Sequence, residues 1–294
     1  MNFLDQQYQG LLSNILEKGS PKSDRTGVGT LSIFGRQIRH NMGTGFPLLT
    51  TKKMAWKTMV TELRWFLKGD TNIKYLVDNG CNIWNGAAYK QYRRACLYEL
   101  DRDELTYDEF MERIKTDDDF ANVWGGLGPI YGKQWRNWDK HTDQIFNLIQ
   151  DIHNNPDSRR LMVNAWNVGE LGQMALPPCH YGFQIYIQGE YMSLMWNQRS
   201  VDAFLGLPFN IASYGLLLSL IADHTGYRTG ELIGNLGDVH LYKNHIDAAK
   251  EQIERDAFDL PELGIIDSSF RTGGFEVALF NYKSHPTIKA PLNT

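Results

Sequence analysis

The chain has 294 residues, 42% of them hydrophobic and 22% charged, with a formal net charge of −4. This is the composition of an ordinary folded protein with a sizeable core, and it excludes the basic footprint of a DNA-binding surface. Three cysteines, an odd number with no CxxC pair, argue against a disulfide framework and point to a reducing compartment, the cytoplasm.

The N-terminal stretch MNFLDQQYQGLL has neither a basic region nor an apolar run, and no segment of about 20 apolar residues occurs, so neither secretion nor a membrane span is expected. Leu4, Tyr8, Leu11, Leu12 and Ile15 recur at helical spacing up to Gly19-Ser20-Pro21 and predict an amphipathic first helix. Lys22 to Thr30 is a basic, hydroxyl-rich loop entering an alternating strand, Leu31 to Ile38. Arg25 in that loop reads either as a solvated side chain or as a contact to a bound anion.

Trp56, Met59, Val60, Leu63, Phe66 and Leu67 mark a helix with one buried face. Glu62 stands beside that face, either as a surface charge or as a carboxyl with a raised pKa suited to proton transfer. Residues 86–124 are rich in charge and helical stretches, and Thr106 with Glu109 has the form of a capping box, so a peripheral helical insertion is expected there. In Gly128-Pro129-Ile130-Tyr131, a buried Tyr131 would need a partner for its hydroxyl.

Thr142 to His153 reads as another helix and Leu161 to Trp166 as a strand. Arg159 and Arg160 precede that strand; adjacent strand residues point to opposite faces, so both reach one phosphate only from a turn. Phe183 to Gln188 and Tyr191 to Trp196 alternate around Gly189-Glu190 as a hairpin, with Cys179 at its start and Arg199 at its end. Two prolines before Cys179 stiffen its approach, and a guanidinium beside it favours thiolate over thiol. The other reading of Cys179 is a small buried hydrophobe.

Ile211 to His224 is apolar nearly all round, a core helix starting directly after Asn210 with Gly226 as its C-cap. Gly234 to Tyr242 forms a strand with His240 and Tyr242 on one face, Lys243 to Arg255 a helix, and Glu276 to Tyr282 a late strand. A metal held by Cys179, His180 and His240 has no supporting ligand spacing, and none is expected.

The blocks PPCH, QRSVD and GLPFN, in this order, together with DRTG, TELRWFLKGDTNI, GPIYGKQWR, DSRRLMVNAWNVGEL and GDVHLY, resemble the folate-dependent thymidylate synthase and pyrimidine hydroxymethylase family. The resemblance covers the chain apart from about 86–124 and the last residues. It implies one large α+β domain over residues 1–294, with a mixed, mainly antiparallel twisted sheet covered by helices and a sheet face forming the interface of an obligate homodimer. It implies dUMP and 5,10-methylenetetrahydrofolate as substrates and reductive methylation to dTMP as the reaction.

Carried over residue by residue, the resemblance makes Cys179 the nucleophile, with Glu62, Tyr131, Arg199 and Asp202 as further catalytic groups. It assigns the nucleotide to Arg25, Arg199, Ser200, Asn210, His240 and Tyr242, and brings Arg159 and Arg160 to the partner's phosphate. It assigns the folate to Lys52, Trp84, Leu176, Asp202, Leu205, Phe209 and the tail ending at Thr294. Asn210 offers a donor and an acceptor, which suits uracil; cytosine-specific members typically carry Asp there. Gly86-Ala87-Ala88 lacks a second aromatic that many members have beyond Trp84, and Asn293-Thr294 replaces their small aliphatic end. A weaker lid lets water replace hydride, so a hydroxymethylase is the alternative reading, and a silent nucleotide-binding protein on the same fold a third.

Overall fold

A computed structural model describes residues 2–97 and 104–293. Asp101 to Asp103 in the acidic run and the terminal Thr294 lie outside the described residues. Helix α1 (Phe3–Lys18) buries Leu4, Tyr8, Leu12 and Ile15, and the Asn2 side chain caps it by accepting the Asp5 N–H. The short strand β1 (Ser20–Lys22) leads through the arginine loop into β2 (Thr30–Asn41). Helices α2 (Trp56–Leu67) and α3 (Lys74–Asp78) follow.

Three helices occupy most of the stretch expected to be helical: α4 (Asn85–Ala95), α5 (Tyr107–Thr116) and α6 (Asp118–Trp124). The capping box at Thr106 and Glu109 is present in both directions. Phe110 is fully buried, its ring 5.0 Å from that of Tyr92 and 5.7 Å from that of Phe120, so this group has a small aromatic core of its own. It is stitched to the rest by the Ile73 N–H bond to the Gly125 carbonyl (2.9 Å) and the Asn72 side-chain bond to the Ala121 carbonyl (2.7 Å).

Next come α7 (Tyr131–Arg136), α8 (Gln144–Asn154), β3 (Met162–Asn164), the hairpin strands β4 (His180–Gln188) and β5 (Tyr191–Asp202), and α9 (Gly206–Thr225). Strand β6 (Arg228–Tyr242), helix α10 (Ile246–Ile253) and the pair β7 (Glu262–Asp267) and β8 (Glu276–Phe280) complete the described chain.

The main sheet has the order β1-β2-β6-β5-β4-β3. Only β5 and β6 run parallel; the other neighbours are antiparallel, so the sheet is mixed and mainly antiparallel as expected. The core helix α9 packs on β5 and β6, with Leu216, Leu217, Leu218 and Leu220 almost wholly buried; each such side chain contributes about 1.5–3 kcal/mol. Its apolar length reflects this interior position, since most of it is inside the protein.

One boundary differs from the sequence reading. Helix α9 starts at Gly206, not after Asn210, which therefore lies in its second turn. Asp202 Oδ1 accepts the Phe204 and Leu205 N–H groups at 3.0 and 3.1 Å and turns the chain into the helix early. Pro208 does not prevent this, because the first turn requires no N–H from it.

Candidate active site

The sheet register brings Ser200, Asp202, His240 and Tyr242 to one end. Strands β5 and β6 run parallel with Ser200 opposite Asp238 and Asp202 opposite His240, while Thr30 of β2 faces Tyr242. The Lys243 N–H donates to the Gly29 carbonyl at 3.0 Å, which ties the Arg25 loop to the end of β6. Gly27 and Gly29 both have φ of 78°, and the Asp24 carboxylate accepts the Thr26 and Gly29 N–H groups, each at 2.6 Å. That brace leaves the Arg25 side chain exposed over the site.

Cys179 is a free, half-buried thiol between Pro178 and the start of β4. Its N–H donates to the Tyr131 hydroxyl at 2.8 Å, and its carbonyl accepts the Arg199 N–H at 2.8 Å. The Arg199 side chain bonds the Pro178 and Pro177 carbonyls, both at 2.9 Å, and its guanidinium lies over the Trp166 ring. Burial raises the thiol pKa, while the charges of Arg199 and Arg25 pull it down and Asp202 opposes them. The expectation that the arginine favours thiolate therefore holds for its own contribution, but burial outweighs it and the net shift is upward.

Glu62 is buried on α2 and accepts the Trp84 indole N–H at 2.7 Å. Burial pushes its carboxyl up to about 7, against the lowering effect of the Trp84 bond. This is the raised carboxyl anticipated from its place beside an apolar face, not a surface charge. From Trp84 a line of rings runs to the thiol: Trp84 to Tyr131 at 6.1 Å, then Tyr131 stacked on His180 at 4.3 Å. Gly128, with φ of 73°, is required at the entry to Tyr131, since a Cβ there would lie 2.1 Å from the Gln173 carbonyl oxygen.

Two relationships carried no sequence signal. His180 Nδ1 is 2.8 Å from the Tyr214 hydroxyl, and burial lowers the imidazole to about 3, so it stays neutral. The second is a chain of three side chains. The Trp196 indole, which can only donate, bonds Gln198 Oε1 at 3.1 Å, and Gln198 Nε2 donates to Asn210 Oδ1 at 3.0 Å. The indole thus fixes which way both amides point. Gly234 makes room for it, because a Cβ there would meet the Trp196 ring at 2.4 Å.

His240 and Tyr242 share a face of β6, with their rings 5.5 Å apart. Leu176, Leu205 and Phe209 are half-buried at the rim and packed against the core. Lys52 is placed differently from an open-cleft lysine: it is buried, bonds the Phe204 carbonyl at 2.5 Å and lies 3.7 Å from the centre of the Phe204 ring. Burial lowers it to about 7, partly offset by Asp202. Arg159 and Arg160 stand in a turn, both exposed, at the far edge of the sheet. Met162 faces Gln184, so the two arginines lie toward the end of β4 remote from Cys179 and outside the cluster around it. No group of three or more His, Cys, Asp or Glu able to hold a metal occurs among the described residues.

The family model for thymidylate synthase matches residues 6–294. Thymidylate synthase of Mycoplasma mobile is 48% identical over 288 residues, 97% of this chain and 98% of the relative. Those of Mycoplasma genitalium and Listeria innocua are 47% and 46% identical, covering 96% and 98% of this chain and 97% and 99% of their own. The match spans the Arg25 loop, the Glu62 helix, the Cys179 hairpin and the tail alike, and the chain belongs to the thymidylate synthase family.

Proposed function

We propose that this cleft performs the family's reaction, conversion of dUMP and 5,10-methylenetetrahydrofolate to dTMP and dihydrofolate, with Cys179 as nucleophile. The observation that carries the assignment of roles is the convergence of a buried, high-pKa Glu62, Tyr131 and the Cys179 thiol under the charges of Arg199 and Arg25.

In this reading Arg25, Arg199 and Ser200 hold the phosphate, and His240 and Tyr242 the sugar hydroxyl. The Asn210 amide, keyed by Gln198 through its oxygen, keeps Nδ2 free to donate to O4 of the ring while a second lone pair on Oδ1 accepts N3–H. Cytosine, with its polarity reversed at these atoms, meets two mismatched contacts.

Sulfur bonds carbon 6 as the thiol passes its proton to water, a loss that the Arg199 charge favours, and the ring electrons move to carbon 5. Carbon 5 attacks the methylene of the opened folate. A water held by Tyr131 takes the carbon 5 proton, with Glu62, titrating near 7, as relay. The bond between methylene and folate nitrogen breaks, hydride passes from tetrahydrofolate to the exocyclic methylene, and the sulfur leaves. Trp84, Leu176, Asp202, Leu205 and Phe209 line the folate side. Lys52 serves it from behind, by holding the Phe204 turn.

The same reading makes the protein a homodimer. The sheet face not covered by helices has a concavity of about 1060 Å³ with Tyr186, Met195 and Ile233 in its lining. A second copy on that face brings its Arg159 and Arg160 to this phosphate site. Residues 86–124 are an insertion at the periphery of the single domain and take no part in the chemistry.

A covalent trap tests the nucleophile. Fluorine at carbon 5 of dUMP cannot leave as a cation, so the ternary complex stalls on sulfur. Mass analysis is expected to find nucleotide and folate on the Cys179 peptide, and none in Cys179→Ser; an adduct elsewhere overturns the assignment.

A further inference from the structure

The end of the chain is tied down by two side-chain amides. Asn244 Nδ2 donates to Asn293 Oδ1 at 2.9 Å, and Asn293 Nδ2 donates back to Asn244 Oδ1 at 3.1 Å. Two residues before Asn293, the Pro291 carbonyl lies 2.8 Å from His245 Nε2. A carbonyl can only accept, so Nε2 carries the proton. Asn293 Nδ2, 3.3 Å from the same Nε2, therefore faces another donor and makes no hydrogen bond to it. On that side its productive partner is Asn244.

The support beneath this contact is part of the packed interior. His245 is fully buried, with its ring 5.5 Å from Tyr242 on one side and 5.5 Å from Phe204 on the other. It therefore sits at the joint between the end of β6, where Tyr242 faces the nucleotide, and the turn from Asp202 to Leu205 on the folate side. A tail resting on His245 rests on both halves of the cleft.

We propose that Asn244 and Asn293 are a positioning pair for the reaction, docking the C-terminal residues on the cleft rim. The inference rests on the cleft being the folate site. Asn244 is exposed and Asn293 half-buried, so water competes for both amides and the latch is weak. With water competing, the two bonds together act at about the strength of one ordinary hydrogen bond and shift the docked fraction by about three- to tenfold.

The test compares the wild-type chain with Asn293→Ala, Asn244→Ala and the double variant, each with its dUMP affinity measured as a check of the fold. Carboxypeptidase release of the terminal residues from the substrate-free protein is expected to rise about three- to tenfold in each. Asn244→Ala is decisive, since it lies far from the cleaved bonds in sequence. In turnover, KM for methylenetetrahydrofolate should rise by a similar factor with dUMP affinity unchanged, and the double variant should equal either single one. Wild-type release and folate KM in Asn244→Ala, or additive effects in the double variant, would overturn the pair. If the wild-type protein forms no dTMP, the functional reading fails, whereas the carboxypeptidase comparison needs no substrate and still decides whether the latch exists.

Discussion

The indole N–H of Trp84 meets Glu62 Oε1 at 2.7 Å inside the protein, so the proposed proton relay is hydrogen-bonded to the proposed folate contact. Burial would hold this carboxyl protonated, and the Trp84 bond restrains that tendency, leaving it near 7. Such a group can both take and return a proton at neutral pH.

A change in stability with pH follows. Folding raises Glu62 from its ordinary 4.5 to about 7, so between these values the folded state binds more protons than the unfolded one. Stability then falls as pH rises through that window, by about 3 kcal/mol in total from this group. Glu62→Gln is expected to flatten that part of the profile in thermal unfolding and to lower kcat by about 10²–10⁴. Trp84→Phe removes the lowering bond, so the pH midpoint of kcat should move upward.

The thiol gives a second prediction. Burial places Cys179 above the ordinary 9.0 of a thiol, with Arg199 and Arg25 working in the opposite direction. The rate of alkylation by iodoacetamide should therefore rise with pH through an inflection above that value, and higher still in Arg199→Ala. An inflection moved downward by that substitution would contradict the electrostatic role. Arg199→Lys should not rescue fully, because a single ammonium does not reproduce the guanidinium fork that bonds both the Pro177 and Pro178 carbonyls.

Much of this was legible in sequence, and the exceptions have physical causes. Helices α1 and α2 and the β4–β5 hairpin announce themselves because each buries a face and writes its period into the residues, and α9 because it is apolar nearly all round. Strand β1 is exposed at all three positions and the six-residue α7 is too short for a period, so neither leaves a pattern. Cys179, Arg199, Glu62 and Trp84 could be named from motifs. Their net electrostatics could not, since burial, which dominates both the Cys179 and Glu62 shifts, belongs to the folded packing. Lys52, assigned to the folate by resemblance, is buried against the Phe204 turn, a placement no local pattern shows, and the Trp196–Gln198–Asn210 chain joins a strand to a helix that only tertiary structure brings together.

That chain predicts base selectivity. Gln198→Leu removes the bond that orients Asn210, leaving its amide free to flip. The ratio of kcat/KM for dUMP over dCMP is expected to fall by about tenfold, the order of one to two ordinary hydrogen bonds. Asn210→Asp should lose dUMP turnover outright while retaining the fold. A selectivity unchanged in Gln198→Leu would show that Asn210 is oriented by something else.

Shared sites can be tested by mixing. Arg160→Ala and Cys179→Ser should each be nearly inactive as homodimers. After denaturation and refolding together, one site in each mixed dimer has an intact Cys179 and an intact partner Arg160, so activity should return. Failure to complement, with mixed dimers demonstrated by native mass, would remove Arg160 from the partner's site.

The most direct test of the account is to incubate the purified protein with dUMP and methylenetetrahydrofolate, identify the nucleotide by mass and follow the folate by absorbance. Methylated nucleotide and dihydrofolate are expected in equal amounts. Hydroxymethylated nucleotide with tetrahydrofolate, or unchanged dUMP, would contradict it.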